Sequence, residues 1–227
     1  MKKIRIWHLS DTHCQHMFVE IPKNIDLVIH SGDFTNVKNP YLNEGEARNF
    51  IEWYKCLDIP NKILVAGNHD TSIEKGLISK KYFKENGINY LEHESIEILG
   101  LNIFGSPYTP LFHDWAFNVK RDKLHNYWTQ IPDNTDILVT HGPPKSILDN
   151  DLDKQLGDLS LYKRVQKLPN LKIHQFGHIH NRRSSGDTYI NRGIFQTTSD
   201  APKFINASFV DLHHRPQGGQ IITELYI

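Results

Sequence analysis

Five short polar clusters in this sequence combine carboxylates, imidazoles and a carboxamide: Asp11-Thr12-His13, Gly32-Asp33, Gly67-Asn68-His69-Asp70, Thr140-His141-Gly142 and Gly177-His178-Ile179-His180. Each contains a side chain that can bind a divalent metal or assist one. Oxygen and imidazole donors without a thiolate form a ligand field for Mn, Fe, Zn or Ni rather than for thiophilic sites, and the set favours catalysis over a structural role. Singly, Asp-x-His or Gly-Asn-His-Asp reads as an ordinary turn, since Gly and Asn tolerate positive φ there. Independent turns have no reason to place His, Asp and Asn after successive apolar strands, so the joint pattern carries the reading.

Each cluster needs a rigid element in front of it. Ile4-Arg5-Ile6-Trp7-His8-Leu9 alternates and stops at Ser-Asp, and the apolar runs 27–29 and 63–65 stop at glycine-containing turns, so these read as buried strands. Between the second and third, Ala47, Phe50, Ile51 and Tyr54 recur at i, i+3, i+4 and i+7, which predicts an amphipathic helix over 44–57. Strand, helix, strand implies right-handed crossovers and a mostly parallel sheet, with functional groups beyond the carboxyl ends of its strands. A helix over 73–84 follows, and then two strands turning at Gly100, where a second sheet begins.

Leu124, Tyr127, Trp128 and Ile131 mark another helix, before a strand over 136–140 that runs into His141. Leu161, Val165 and Leu168 suit a helix ended by Pro169, before a strand over 172–176 that runs into Gly177-His178. The β-like runs from Thr188 to Ile227 predict antiparallel strands that supply the second sheet. Pro107 to Asn118 forms a long aromatic loop.

The 227 residues suit one compact domain, 1–227. Lys+Arg and Asp+Glu both total 26, so no basic footprint for long nucleic acid stands out, and a small substrate is expected. No apolar run is long enough to span a bilayer, and the N-terminal one is too short and broken for a signal peptide, which makes the cytoplasm the expected location. Cys14 and Cys56 provide neither a disulfide scaffold nor a CxxC zinc pair. The unusual number is 14 histidines, with no run resembling a tag, so their positions decide.

In type and order the clusters resemble the blocks of the calcineurin-like metallophosphoesterases: Asp-x-His, Gly-Asp, Gly-Asn-His-Asp, His and Gly-His-x-His. By motif the resemblance spans Ser10 to His180, and segments 105–110, 140–144 and 205–208 are similar to the subgroup of brain metallophosphoesterase-domain-containing proteins and their bacterial relatives. It implies a four-layer α/β/β/α sandwich of two facing mixed sheets. Carried over by position, Asp11, His13, Asp33 and His180 would hold one cation, and Asp33, Asn68, His141 and His178 the other, with Asp33 as bridge. Chemistry gives an independent reason, because a carboxylate has two oxygens and can bridge ions ~3.5–4 Å apart, the spacing that clamps a phosphoryl group. Two divalent cations against Asp11, Asp33 and one hydroxide leave a net positive site for an anionic ester, and water activated between them would attack phosphorus. His69, with no metal assigned, is expected to face the leaving oxygen as general acid, with Asp70 orienting its ring.

The subgroup resemblance and the neutral composition point to phosphodiesters such as cyclic nucleotides. A nuclease or phosphomonoesterase on the same core, and a nucleotide-binding regulatory protein with weak catalysis, stay open because loops decide among them. His16, His113, Arg182 and Arg183 are further candidates for substrate contact. Tyr108, Phe112 and Trp115 either stack on a base at the cleft mouth or pack their own loop. The other histidines, His213 and His214 among them, read as structural or solvated.

Overall fold

A computed structural model describes residues 2–151, 154–183 and 188–227. In the first sheet Lys3–Leu9, Leu27–His30, Asn61–Leu64 and Asn89–Tyr90 run parallel, and Ile221–Tyr226 pairs antiparallel with Lys3–Leu9. In the second, Lys203–Asn206, Ile173–Phe176, Ile137–Thr140 and Leu101–Ser106 run parallel, flanked by antiparallel Gly193–Phe195 and Glu94–Ile98. Successive strand residues face opposite sides, so alternation decides the layers. Ile4, Ile6, Leu27, Ile29 and Ile63 meet Leu101, Ile103, Ile137, Val139 and Ile173 in one buried cluster between the sheets.

One step out of phase, Trp7, Leu9, Val28 and Leu64 pack under the helix Pro40–Lys55 through Ala47, Phe50, Ile51 and Tyr54. On the far side, Phe104, Leu138, Phe176 and Phe204 pack under Arg121–Trp128 and Leu159–Val165 through Leu124, Trp128, Leu161 and Val165. The layers are therefore α/β/β/α with two mixed sheets, as expected. Among the described residues no helix is long and apolar enough to cross a membrane.

Helix Pro40–Lys55 starts about one turn before the predicted Glu44, because the Asn39 side chain accepts from the Tyr41 and Leu42 amides and Pro40 suits the first helical position. The helix predicted over 73–84 is instead two, Thr71–Glu74 and Lys80–Glu85, separated at Gly76 with φ +68° and restarted by the Ser79 cap. The second sheet begins with the two strands that turn at Gly100, as expected. The C-terminal third departs from expectation, because Lys203–Asn206 joins that sheet in parallel and Ile221–Tyr226 returns to the first sheet. Alternation fixes which face of a strand is buried but does not name its neighbour.

His174 is fully buried on strand Ile173–Phe176, its Nε2 2.9 Å from the Thr140 hydroxyl and its Nδ1 without a partner. Burial pushes this imidazole down to about 3, against roughly 6.5 in an unfolded chain. Below about pH 6.5 the unfolded chain takes up a proton that the folded one refuses, so stability present in full above that pH is lost as the pH falls toward the folded value. His174→Gln removes the titration. In urea unfolding of metal-free protein, the variant should gain on the parent by about 1 kcal/mol per pH unit between about pH 6 and 4; parallel stability profiles would rule the effect out.

Candidate metal centre

All five clusters follow parallel strands, and the chain that leaves those strands converges. The Asp11 amide donates to Gly32 O at 2.8 Å and the His13 amide to Asp33 O at 3.1 Å, which joins the first two loops. Across the sheets, the His178 amide donates to both Asp11 carboxylate oxygens at 3.0 Å, and His141 Nδ1 lies 2.9 Å from Ser31 O. Such close approach excludes side chains at Gly32, Gly67 and Gly177. A Cβ on Gly177 would stand 1.9 Å from Asp11 Oδ2, and one on Gly67 2.3 Å from Asp33 Oδ1. Asp11, His13, Asp33 and His178 all adopt positive φ, between 39° and 67°, a conformation unfavourable for non-glycine residues that tends to collect at functional sites.

The side chains predicted as metal ligands come together. Ligand atoms of Asp11, His13 and His180 lie within 4.8 Å of one another, as do those of Asp33, His141 and His178, and a third such group, His13, Asp33 and His69, links the two. Asp33 Oδ2 is 3.2 Å from His141 Nε2 and 3.8 Å from His13 Nε2. Asp11 Oδ1 is 3.0 Å from His180 Nε2, and Asn68 Oδ1 is 3.0 Å from His141 Nε2. Backbone carbonyls hold the opposite ring nitrogens: Thr35 O at His13, Ser31 O at His141 and Asp211 O at His180. A carbonyl accepts only from N–H, so each Nδ1 carries a proton and each Nε2 is turned inward, the orientation of metal-ligating histidine.

The electrostatics fit a cation. Asp11 and Asp33 are buried, and among the described side chains their ion pairs are with histidines alone. Burial opposes both charges, yet His180 beside Asp11 and His141 beside Asp33 hold the two carboxyls well below the usual range. Burial also pushes His178 down to about 3 and His13 well below its ordinary value, which leaves both neutral. For His141 burial is outweighed by Asp33, and the imidazole rises to about 9. His13 Nε2 is buried without any hydrogen-bond partner. An orphaned lone pair on a neutral imidazole that faces two buried carboxylates is chemistry that a divalent cation completes.

The expected support of His69 by Asp70 is corrected. Asp70 Oδ2 accepts from the amides of Asp33 and Gly67, and its Oδ1 receives the Thr35 amide and lies 2.7 Å from the Thr35 hydroxyl. Both oxygens serve the loops that carry the ligands, while His69 Nδ1 lies 3.2 Å from Asn36 O. His16 is not at the cleft: it is buried against Phe50 and Trp53 with Nε2 on Asn49. His113 is exposed beside Phe112, and the side chains of Arg182 and Arg183 lie outside the described part of the structure. Tyr108 packs on Tyr127, Phe117 and His93, whereas Trp115 stacks on His69 at 4.1 Å. His214, read from the sequence as structural or solvated, stacks on His13 at 4.5 Å. Nothing around His-His-Arg in the sequence marks that contact.

The chain is similar to several known proteins. Human metallophosphoesterase domain-containing protein 1 is 31% identical over 242 residues, covering 96% of this chain and 69% of the human protein. A 3',5'-cyclic-nucleotide phosphodiesterase of Nostoc sp. is 24% identical over 170 residues, 71% of this chain and 58% of that one. The crystal structure of TT1561 of Thermus thermophilus superposes with a TM-score of 0.58 over 98% of this chain and 99% of that one, at 13% identity, a likeness of fold alone. The model of the calcineurin-like phosphoesterase family matches residues 4–182, which carry every one of the converging clusters, and the chain belongs to that family.

Proposed function

We propose that the protein hydrolyses phosphodiesters, small cyclic nucleotides foremost, at a two-cation centre. The observation that carries this reading is the Asp33 carboxylate, which faces His141 at 3.2 Å and His13 at 3.8 Å and so links the group of Asp33, His141 and His178 to the group that shares His13. In this reading Asp11, His13 and His180 hold one cation, Asn68, His141 and His178 the other, and Asp33 is shared. When bound, the cations supply Lewis-acid charge to the phosphoryl oxygens and bring the pKa of a coordinated water to about 7.

The chain's own groups do the rest. Asn68 and the neutral imidazoles add no negative charge, so the centre keeps a surplus of positive charge for the ester. With Nδ1–H on Asn36 O, His69 turns Nε2 toward the ligand groups. As an imidazolium it donates from both nitrogens, one to the carbonyl and one to the leaving oxygen. A diester fits better than a monoester, because the cations described nearby are otherwise engaged: Arg215 pairs with Asp211, and Lys38 lies over Trp115. A diester monoanion needs less fixed charge than a monoester dianion. The similarity to a cyclic-nucleotide phosphodiesterase supports the same choice.

Asp33→Asn preserves shape and removes the shared charge. Losing even an outer-shell partner costs about 10–100-fold in metal affinity, so this variant should lose more than that and its activity with it, measured by metal analysis and hydrolysis of bis-p-nitrophenyl phosphate. Full activity in Asp33→Asn would end the proposal. In a panel with Mn, Fe, Ni and Zn, bis-p-nitrophenyl phosphate and cyclic nucleotides should turn over faster than p-nitrophenyl phosphate or single-stranded DNA. Faster cleavage of DNA would assign a nuclease instead, and binding without turnover would assign a regulator.

A further inference from the structure

We infer that Trp115 is the positioning residue of His69, taking the role expected of Asp70; this rests on His69 serving as donor to the leaving oxygen. Indole and imidazole stack with centroids 4.1 Å apart and planes 28° apart. The same imidazole meets the His13 ring edge-on at 4.7 Å and 87°. A ring tethered through one nitrogen to Asn36 O can still swing about that hydrogen bond. A stacked face removes the swing, and with it the freedom of Nε2 to point away from the site.

The aromatic loop delivers the indole through its backbone. The Ala116 amide donates to Asn68 O at 3.0 Å, one residue from each stacking partner, and the Phe117 amide donates to Glu74 Oε1 at 2.8 Å. Ala116 and Phe117 are buried, so the loop is anchored immediately beside Trp115. Lys38 Nζ lies 5.3 Å from the indole centroid. The indole is thus engaged by an imidazole and a cation, which suits a brace better than an open platform for a nucleobase.

Hydrolysis of bis-p-nitrophenyl phosphate with Mn(II) is compared for the parent, Trp115→Ala, Trp115→Phe, His69→Ala and the Trp115→Ala/His69→Ala double variant. Trp115→Ala should lower kcat by up to about 10²-fold, the order seen for a displaced catalytic group, with KM and bound metal unchanged. Trp115→Phe should restore most of the rate. The double variant should be no slower than His69→Ala, because a brace has no effect once its target is gone. Losses that multiply, or a Trp115→Ala effect confined to KM, would overturn the brace; full activity in His69→Ala would overturn the reading of His69 itself. Metal-free protein gives a readout independent of rate. The indole ring current should hold the His69 ring protons upfield in the parent, and Trp115→Ala should release them; unchanged proton shifts would also overturn the brace.

Discussion

Two carboxylates buried with no lysine or arginine described beside them set the terms for the rest of the molecule. Asp11 and Asp33 are almost wholly withdrawn from water, where an isolated charge costs many kcal/mol unless it is paired. The surrounding histidines meet that demand only in part, because burial opposes their own protonation. Metal-free, Asp33 and Asp11 favour protons on His141 and His180 against the burial of those rings, while His13 and His178 stay neutral. Divalent cations would resolve the conflict without asking any histidine to be charged, so the features that cost the fold stability also mark the site.

Holding those groups apart and aimed requires backbone, and the chain spends its unusual conformations there. Positive φ at Asp11, His13, Asp33 and His178 turns each side chain sharply off its strand, and glycines at 67 and 177 let neighbouring backbone pass against the carboxylates. Asp70 gathers three amides from two ligand loops, and Asn43 reaches from helix Pro40–Lys55 to the carbonyls of Val37 and His69 and to the Thr35 hydroxyl. The outer helix is thereby coupled to the loops of the centre, not merely laid over the sheet. Strain in the turns is tolerated because every partner around them is fixed.

The metal-directed residues were legible in the sequence because each sits at the end of an apolar strand, and strand ends leave a local signature. Ala47, Phe50, Ile51 and Tyr54 were legible for a similar reason, a single face repeated at helical spacing. What escaped detection depends on pairing between distant segments. Ile221–Tyr226 has ordinary strand chemistry, and nothing in its alternation says that it returns to Lys3–Leu9. Asp70 follows His69 in the chain, so a bond between them was the natural expectation; the turn instead sends the carboxylate inward to amides that every loop possesses. The stacking of His214 on His13 and of Trp115 on His69 likewise joins loops separated by many residues, and a ring contact leaves no spacing rule to find.

Because ligands come from both sheets, the spacing of the centre is only as fixed as the register between the sheets, and apolar contact alone fixes register weakly. The intersheet core is aliphatic except where Gln175, on strand Ile173–Phe176, crosses beneath the site. Its Nε2 lies 3.0 Å from the carbonyls of Leu9 and Ile29, and its Oε1 lies 2.6 Å from His8 Nδ1, while His8 Nε2 lies 2.8 Å from the Thr223 hydroxyl. A sliding displacement of one sheet by a fraction of a residue would leave these buried groups unpaired, at about 1–3 kcal/mol each, whereas aliphatic side chains would simply repack. The polar crossing therefore gives directional restraint at the place where Asp11, Ser31 and His178 must meet across the interface. Burial pushes His8 down to about 4, so this link stays neutral and intact over the range in which the centre would hold metal. The spacing of the ligand groups is in this sense inherited from a hydrogen-bonded seam that lies outside them.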